Sequence, residues 1–237
     1  LSKVSRKGAT NQVVYDEEMW GTLRAKRETA AQILRALART APDAVVLGSV
    51  ARGDVSNASD VDIALRGQVP SYMVETALES AGFASYKRLL VQATPMSSPR
   101  GYVFLDPAEL TVVSYPLTGM TMTEHEFDRF GGCLGIGGLV GGERVPGVDK
   151  RLMLIEPTPS GHLESSILGR EAEVSRTLSI SLETVSERVR VLTRRDEVGR
   201  TGPIVRRELP RGQSFEKAVA EVVKRNPMLR RVIDERG

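Results

Sequence analysis

The 237-residue sequence is 41% apolar and 27% charged, with a net charge of +3, one Cys and two His. Lone Cys133 excludes an intramolecular disulfide framework and a Cys-rich zinc site, and His125 and His162 alone cannot build a poly-His centre. Any metal site is then made of carboxylates, which suits Mg²⁺ or Mn²⁺. No apolar run approaches the roughly 20 residues that span a bilayer. The basic start Leu1-Ser2-Lys3-Val4-Ser5-Arg6-Lys7 is not followed by a signal-peptide core. A soluble, cytoplasmic protein without membrane contact is the expectation.

In chain order, the polar first ~15 residues read as loose. From Glu17 to Arg39, Trp20, Leu23, Ala30, Ile33, Leu34 and Leu37 recur at helical spacing, with the stem of Arg27 among them, and Pro42 closes the helix. Ala44–Leu47 is a short apolar run that stops at Gly48, as a buried strand would. Asp60–Leu65 alternates acid and apolar residues, the period of a half-buried strand. Pro70–Ala81 reads as a helix stopped by Gly82. Strands are expected at Lys87–Ala93, Gly101–Leu105 and Leu110–Tyr115, the last two flanking the turn Asp106-Pro107-Ala108-Glu109. This order describes a compact α/β domain over residues 1–117.

Eight glycines crowd residues 131–147, yet neither phosphate-loop register fits: Lys150 follows Asp149, and Gly135-Ile136-Gly137 leads to Val140. Residues 118–163 therefore read as a Gly-rich connector or a set of tight turns, with a strand at Arg151–Ile155 ended by Pro157 and Pro159. Beyond Gly161 the period becomes helical. Ile167, Glu171, Val174 and Leu178 share a face, and Ser181 is a natural N-cap for a second stripe of Leu182, Val185, Val189 and Leu192. A third helix is expected from Ser214 to Lys224. His125 and His162 read as surface or capping residues.

The stretch that carries chemistry is Leu47-Gly48-Ser49-Val50-Ala51-Arg52-Gly53-Asp54, followed five residues later by Asp60-Val61-Asp62-Ile63. A strand ends at Gly48 and a helix begins, where exposed N–H groups attract phosphate. Asp60 and Asp62 point to one face of the next strand, and two carboxylates so placed repel unless a divalent cation lies between them. The combination resembles the DNA polymerase β-type nucleotidyltransferase superfamily, and GSVARGDVSNASDVDIAL is similar to its small prokaryotic and archaeal members with GSxARG and SDxD. The resemblance is specific over about residues 44–65. It implies an α/β (α+β) palm-like domain with a mixed sheet, and transfer of a nucleoside monophosphate from an NTP to an acceptor hydroxyl on RNA, protein or a small molecule. Gly48, Ser49 and Arg52 would then hold the nucleotide phosphates, and Asp60 and Asp62 the Mg²⁺ (or Mn²⁺). The third catalytic and metal-binding carboxylate would be Glu109, with Asp106 or its absence as the alternatives.

Residues 164–237 carry the basic bias: 16 Lys/Arg against 11 Asp/Glu from residue 170 onward, a balance of +5. The break between the two helical stripes, plugged by Ile180, resembles a helix-turn-helix, and Val198–Gly202 with Ile204–Arg207 would supply a β-wing. A mainly α, winged-helix-like module is thus expected, with Arg190, Arg194, Arg195, Arg200, Arg206 and Arg207 facing nucleic-acid phosphates. Glu183 and Glu187 in the second helix, and Phe215 as the lone aromatic beyond residue 170, weigh against base reading. A homodimer or protein contact stays open for this module. A DNA-binding regulator that keeps the fold as a nucleotide sensor, or a non-catalytic antitoxin-like partner, is the alternative to an enzyme.

Overall fold

A computed structural model describes residues 4, 10–199 and 202–237. The chain runs β1 (Asn11–Val14), α1 (Glu17–Leu37), β2 (Val45–Leu47), α2 (Gly48–Arg52), β3 (Val61–Ala64), α3 (Ser71–Ser80), β4 (Lys87–Gln92), β5 (Arg100–Phe104) and β6 (Thr111–Pro116). It continues through α4 (Met122–Gly131), β7 (Cys133–Gly135), α5 (Ile136–Val140), β8 (Gly147–Val148), β9 (Met153–Thr158) and β10 (Gly161–Ser166). The last elements are α6 (Glu171–Leu178), α7 (Leu182–Val198), β11 (Val205–Glu208), α8 (Phe215–Val223) and α9 (Pro227–Arg236). No described helix is long and apolar enough to cross a membrane.

These elements form two compact units, each assembled from separate stretches. The first takes residues 1–28, 46–59 and 122–201; the second takes 29–45, 60–121 and 202–237. A serial division at residues 117 and 163 is therefore not the one that forms. Long-range strand pairing is the reason: β11 joins β4 in the second unit, and the supposed connector supplies β8 and β9 to a sheet of the first.

In the first unit, β1, β10, β9 and β8 form an antiparallel sheet in that order. Gly161, opposite Val14, permits it, because a Cβ there would fall 1.9 Å from the Val13 carbonyl oxygen. The stretch after Gly161, expected as helix, is thus strand β10, and the helix begins only at Glu171. A core of Phe130, Leu152, Leu154, Ile167, Val174, Leu178, Ile180 and Val185 binds α4 and the sheet to the α6–α7 pair. Ile180 is buried in the break between α6 and α7, reached through Ser179 at φ +51°. Ser181 caps α7 as expected, its side chain accepting from Thr184 N–H.

In the second unit the strands run β11-β4-β5-β6-β3. β3 lies parallel to β6, while the other neighbours are antiparallel, so the sheet is mixed. One face carries Tyr115, Gly101, Arg88 and Leu90. There the Phe215 ring of α8 meets the Tyr115 ring edge-on at 5.4 Å, and Arg88 lies over Phe215 at 5.0 Å. Gly101 leaves the space for both rings, since a Cβ would fall 2.8 Å from Tyr115. Arg88 pairs with Glu75 of α3 at 2.7 Å, and Glu216 of α8 accepts from the Ser71 N–H and hydroxyl, each at 2.7 Å.

The buried carboxylate of Glu126 on α4 anchors the junction between α6 and α7. It accepts from Ser181 N–H (3.1 Å), the Ser181 hydroxyl (2.6 Å) and the Thr184 hydroxyl, at the positive end of α7. The Ser181 and Thr184 hydroxyls hold its carboxyl below the usual carboxylate range. Glu126→Ala is expected to cost about 2 kcal/mol in urea unfolding at neutral pH, the scale of hydrogen bonds to a charged group. Because its pKa is lower in the folded than in the unfolded chain, Glu126 stabilises the fold above the unfolded pKa and the benefit disappears as pH falls through the folded one. Glu126→Gln should flatten that part of the acid limb.

Candidate active site

In the first unit, β2 delivers the chain to a strand-to-helix turn. Leu47, extended, caps α2, and Gly48 takes φ +67°. A Cβ on Gly48 would meet nothing within 4 Å, so its requirement is conformational and not steric. Gly48 N–H donates to the Gly132 carbonyl at 2.9 Å, and Gly53, at φ +107°, closes the helix onto Ser49 O at 2.7 Å. Ser49 is half-buried at the start of this short helix.

Arg52 has a different place from the one expected of a phosphate ligand. It is 5% exposed; Nε and Nη2 grip the Asp54 carboxylate at 3.0 and 2.8 Å, and Nη1 donates to Gly131 O at 2.5 Å. Its stem crosses Gly132, where a Cβ would fall 2.7 Å from Arg52 Cγ, and Gly147 in turn packs on Gly132, where a Cβ at position 147 would fall 2.6 Å from Gly132 N. The glycine-rich stretch therefore forms close backbone approaches around a buried guanidinium. Arg27 of α1 adds a second brace, donating to Val50 O (3.1 Å) and Ala51 O (3.2 Å). Its place within an otherwise apolar stripe was the sequence signal for that role.

Nearby in the same unit, the Tyr15 hydroxyl bonds His162 Nδ1 at 2.7 Å in a buried setting. Burial pushes the Tyr15 hydroxyl up to about 12 and pulls the His162 ring down. His162 is thus an interior residue, not a surface or capping one. Arg144 stacks over Trp20 (5.0 Å) and Tyr15 (5.8 Å) while donating to Gly161 O and Thr158 O. Nothing in the local sequence around Arg144 signals this role, because its partners come from two other segments, residues 15–20 and 158–161.

In the second unit, Asp60 immediately precedes β3 and Asp62 lies within it. Val61 and Ile63 are buried, which turns Asp60 and Asp62, both half-buried, to the opposite face. Parallel register pairs Val61 with Thr111 and Asp62 with Val112. Val112 and Ser114 therefore share the face of Asp62 on β6, and that face of the strand carries no carboxylate. Glu109 stands in the turn before β6 at φ +59°, and its carboxylate meets Lys87 Nζ at 2.6 Å. Lys87 belongs to β4, whereas β3 flanks β6 on the other side, so Glu109 is drawn away from the aspartates. Asp106 accepts from the Leu110 and Thr111 N–H groups, closing the hairpin turn. Backbone hydrogen bonds, chiefly from Leu110 and Thr111, lower its pKa against a desolvation that would raise it.

Among the described residues, no group of three or more His, Cys, Asp or Glu side chains is placed to hold a metal ion. Two aspartates on one face still fit Mg²⁺ or Mn²⁺, which takes one or two protein carboxylates and completes its shell with substrate phosphates and water. The six arginines expected on nucleic acid do not form one set. Arg190, Arg194 and Arg195 are exposed on α7 in the first unit, and Arg206 is exposed on β11 in the second. Arg207 is paired with Glu221 at 2.5 Å, and Arg200 lies outside the described residues. The expected wing does not form around Ile204–Arg207: β11 is consumed as a strand beside β4.

No protein-family model matches the chain, and no curated protein matches it. A crystal structure of the Cid1 poly(U) polymerase with MgGTP bound is similar to part of it, at 17% identity and a TM-score of 0.28. The match covers 43% of this chain and 33% of that enzyme, so it spans about a third of the enzyme's length.

Arg52→Ala strands the Asp54 carboxylate, only 13% exposed, without its partner. A loss of about 3–5 kcal/mol in chemical denaturation is expected. Gly48→Ala should cost about 1–2 kcal/mol through the left-handed backbone alone.

Proposed function

We propose that the chain is a metal-dependent nucleotidyltransferase that moves a nucleoside monophosphate from an NTP to an acceptor hydroxyl. The observation that carries this reading is the pair Asp60 and Asp62 on one face of β3, eleven residues after a strand-to-helix turn whose Gly48 is held at positive φ. In the reading, the Gly48 turn, its own N–H held by Gly132 O, presents Ser49 to the nucleotide phosphates through the Ser49 N–H and hydroxyl, and Asp60 and Asp62 would hold Mg²⁺. The metal would offset phosphate charge as the acceptor oxygen bonds to the α-phosphorus and the bond to the β-phosphate oxygen breaks. Pyrophosphate departs, and the hydroxyl proton passes to solvent. Glu109 is assigned to the Lys87 ion pair and not to base catalysis, and Arg52 to the scaffold. Arg190, Arg194 and Arg195 are left as cationic contacts for a polyanionic partner.

The test is incubation of the full chain with α-labelled NTPs, Mg²⁺ and a cell extract that supplies RNA, protein and small-molecule acceptors. Label transfer is expected, and it should vanish with EDTA, Asp60→Ala or Asp62→Ala. Glu109→Gln should keep transfer within a few-fold of the parent. A drop of about 10²–10⁴-fold there would restore Glu109 as the general base. Absence of transfer to every acceptor class would overturn the enzyme reading.

A further inference from the structure

The register of the second unit's sheet puts a distinct set of side chains on the same face as Asp62. Asp62 pairs with Val112, Val112 with Phe104, and Phe104 with Lys87, which makes one row across four strands. The next row holds Ala64, Ser114, Tyr102, Leu89 and, at the sheet edge, Glu208, and the one beyond it Pro116, Arg100, Val91 and Arg206. The central strand β5 therefore presents Arg100, Tyr102 and Phe104 at successive positions of one face, all half-buried, about 6.6 Å apart along the strand. Arg206 is exposed, Lys87 Nζ, paired with Glu109 at 2.6 Å, lies 5.8 Å from the Phe104 ring centre, and Arg100 donates to Ser114 Oγ and Met120 Sδ. With strands about 4.8 Å apart, Phe104 stands two strands, or about 10 Å, from Asp62.

We infer that this face is the acceptor platform and that the acceptor is a single-stranded nucleic acid end, its bases stacked on Phe104 and Tyr102 and its phosphates near Lys87, Arg100 and Arg206. The inference rests on the nucleotidyltransferase reading for the word acceptor, but the surface itself is defined by the sheet. Two aromatic rings spaced by one pleat repeat on a central strand suit unstacked bases, which present a π-face whatever their identity. A duplex keeps its bases paired and stacked inside and gains nothing from the rings. Asp62 beside the Phe104 row would then bring the terminal hydroxyl near the metal-bound α-phosphate of the proposed reaction.

The test is fluorescence anisotropy of the full chain with a labelled 12-nucleotide RNA, its DNA counterpart and the matching duplex, without NTP. Single strands should bind more tightly than the duplex, and the RNA–DNA comparison shows whether the 2′-hydroxyl contributes. Phe104→Leu, which keeps an apolar side chain, should weaken single-strand binding about tenfold, while Phe104→Tyr should hold it within about twofold. Arg100→Gln should make the salt dependence of binding shallower by about one counterion. Thermal unfolding of each variant separates lost binding from lost structure. Equal affinity of the folded Phe104→Leu protein, or preference for the duplex, overturns the inference. Single-strand binding with no label transfer would keep this surface and remove the enzyme reading; transfer to a protein or small molecule with no strand binding would do the reverse.

Discussion

The parallel pairing of β3 with β6 is the constraint from which the second unit's chemistry follows. It sets Asp62 opposite Val112, and so decides which face of the sheet receives the two aspartates and which receives Tyr115 and the helices. A slip of one residue would turn Asp62 into the apolar layer and Val61 and Ile63 out of it, at the cost of a buried carboxylate and of exposed apolar side chains. The same register excludes a carboxylate from the neighbouring positions of β6 and lines up Phe104 and Lys87 with Asp62. Glu109 falls just before the pairing begins, in a turn, and finds Lys87. One strand pairing thus accounts for the aspartate pair, for the carboxylate-free face of β6 beside it and for the aromatic face.

The first unit achieves its order by a different device. Glycines at positions 132, 147 and 161 remove the side chains that would block close approach of backbone or of a buried guanidinium. Arg52, with Asp54 as its counter-ion, passes across Gly132, while Arg144 crosses Gly53 and stacks on Tyr15 and Trp20. Taking such charges from water is expensive, and bidentate pairing and carbonyl acceptors offset the expense. The result is a fixed α2 turn, with Gly48 and Ser49 held by partners behind them. Glu126 performs a similar service at the start of α7.

The elements that the sequence displayed clearly were those specified locally. The alternation at Asp60–Leu65, the stripe from Trp20 to Leu37, and the cap at Ser181 each rest on neighbours within a turn or a pleat, and each formed. What escaped depended on distant partners. β10 reads Gly-His-Leu-Glu-Ser-Ser, without alternation, and becomes a strand because β1 and β9 flank it. β11 looked like a wing because its partner β4 lies over a hundred residues earlier. Arg52 looked like a phosphate ligand because its neighbours in sequence do not reveal that Gly131 and Gly132 enclose it. Helix α9 carries its own local start signals: Asn226 caps it and Pro227 opens it. Of the candidate site, Gly48, Ser49, Asp60 and Asp62 were marked by residue type and spacing alone, while the fate of Glu109 needed the sheet order.

The central claim is that Asp60 and Asp62 act together on a metal-bound nucleotide. Calorimetric titration of the full chain with a non-hydrolysable NTP analogue, in the presence and absence of Mn²⁺, tests it most directly. Binding should require the metal and should fall at least about tenfold in folded Asp62→Asn protein, with the metal-dependent part gone. Nucleotide binding that is the same with and without Mn²⁺, or unchanged in Asp62→Asn, would contradict it.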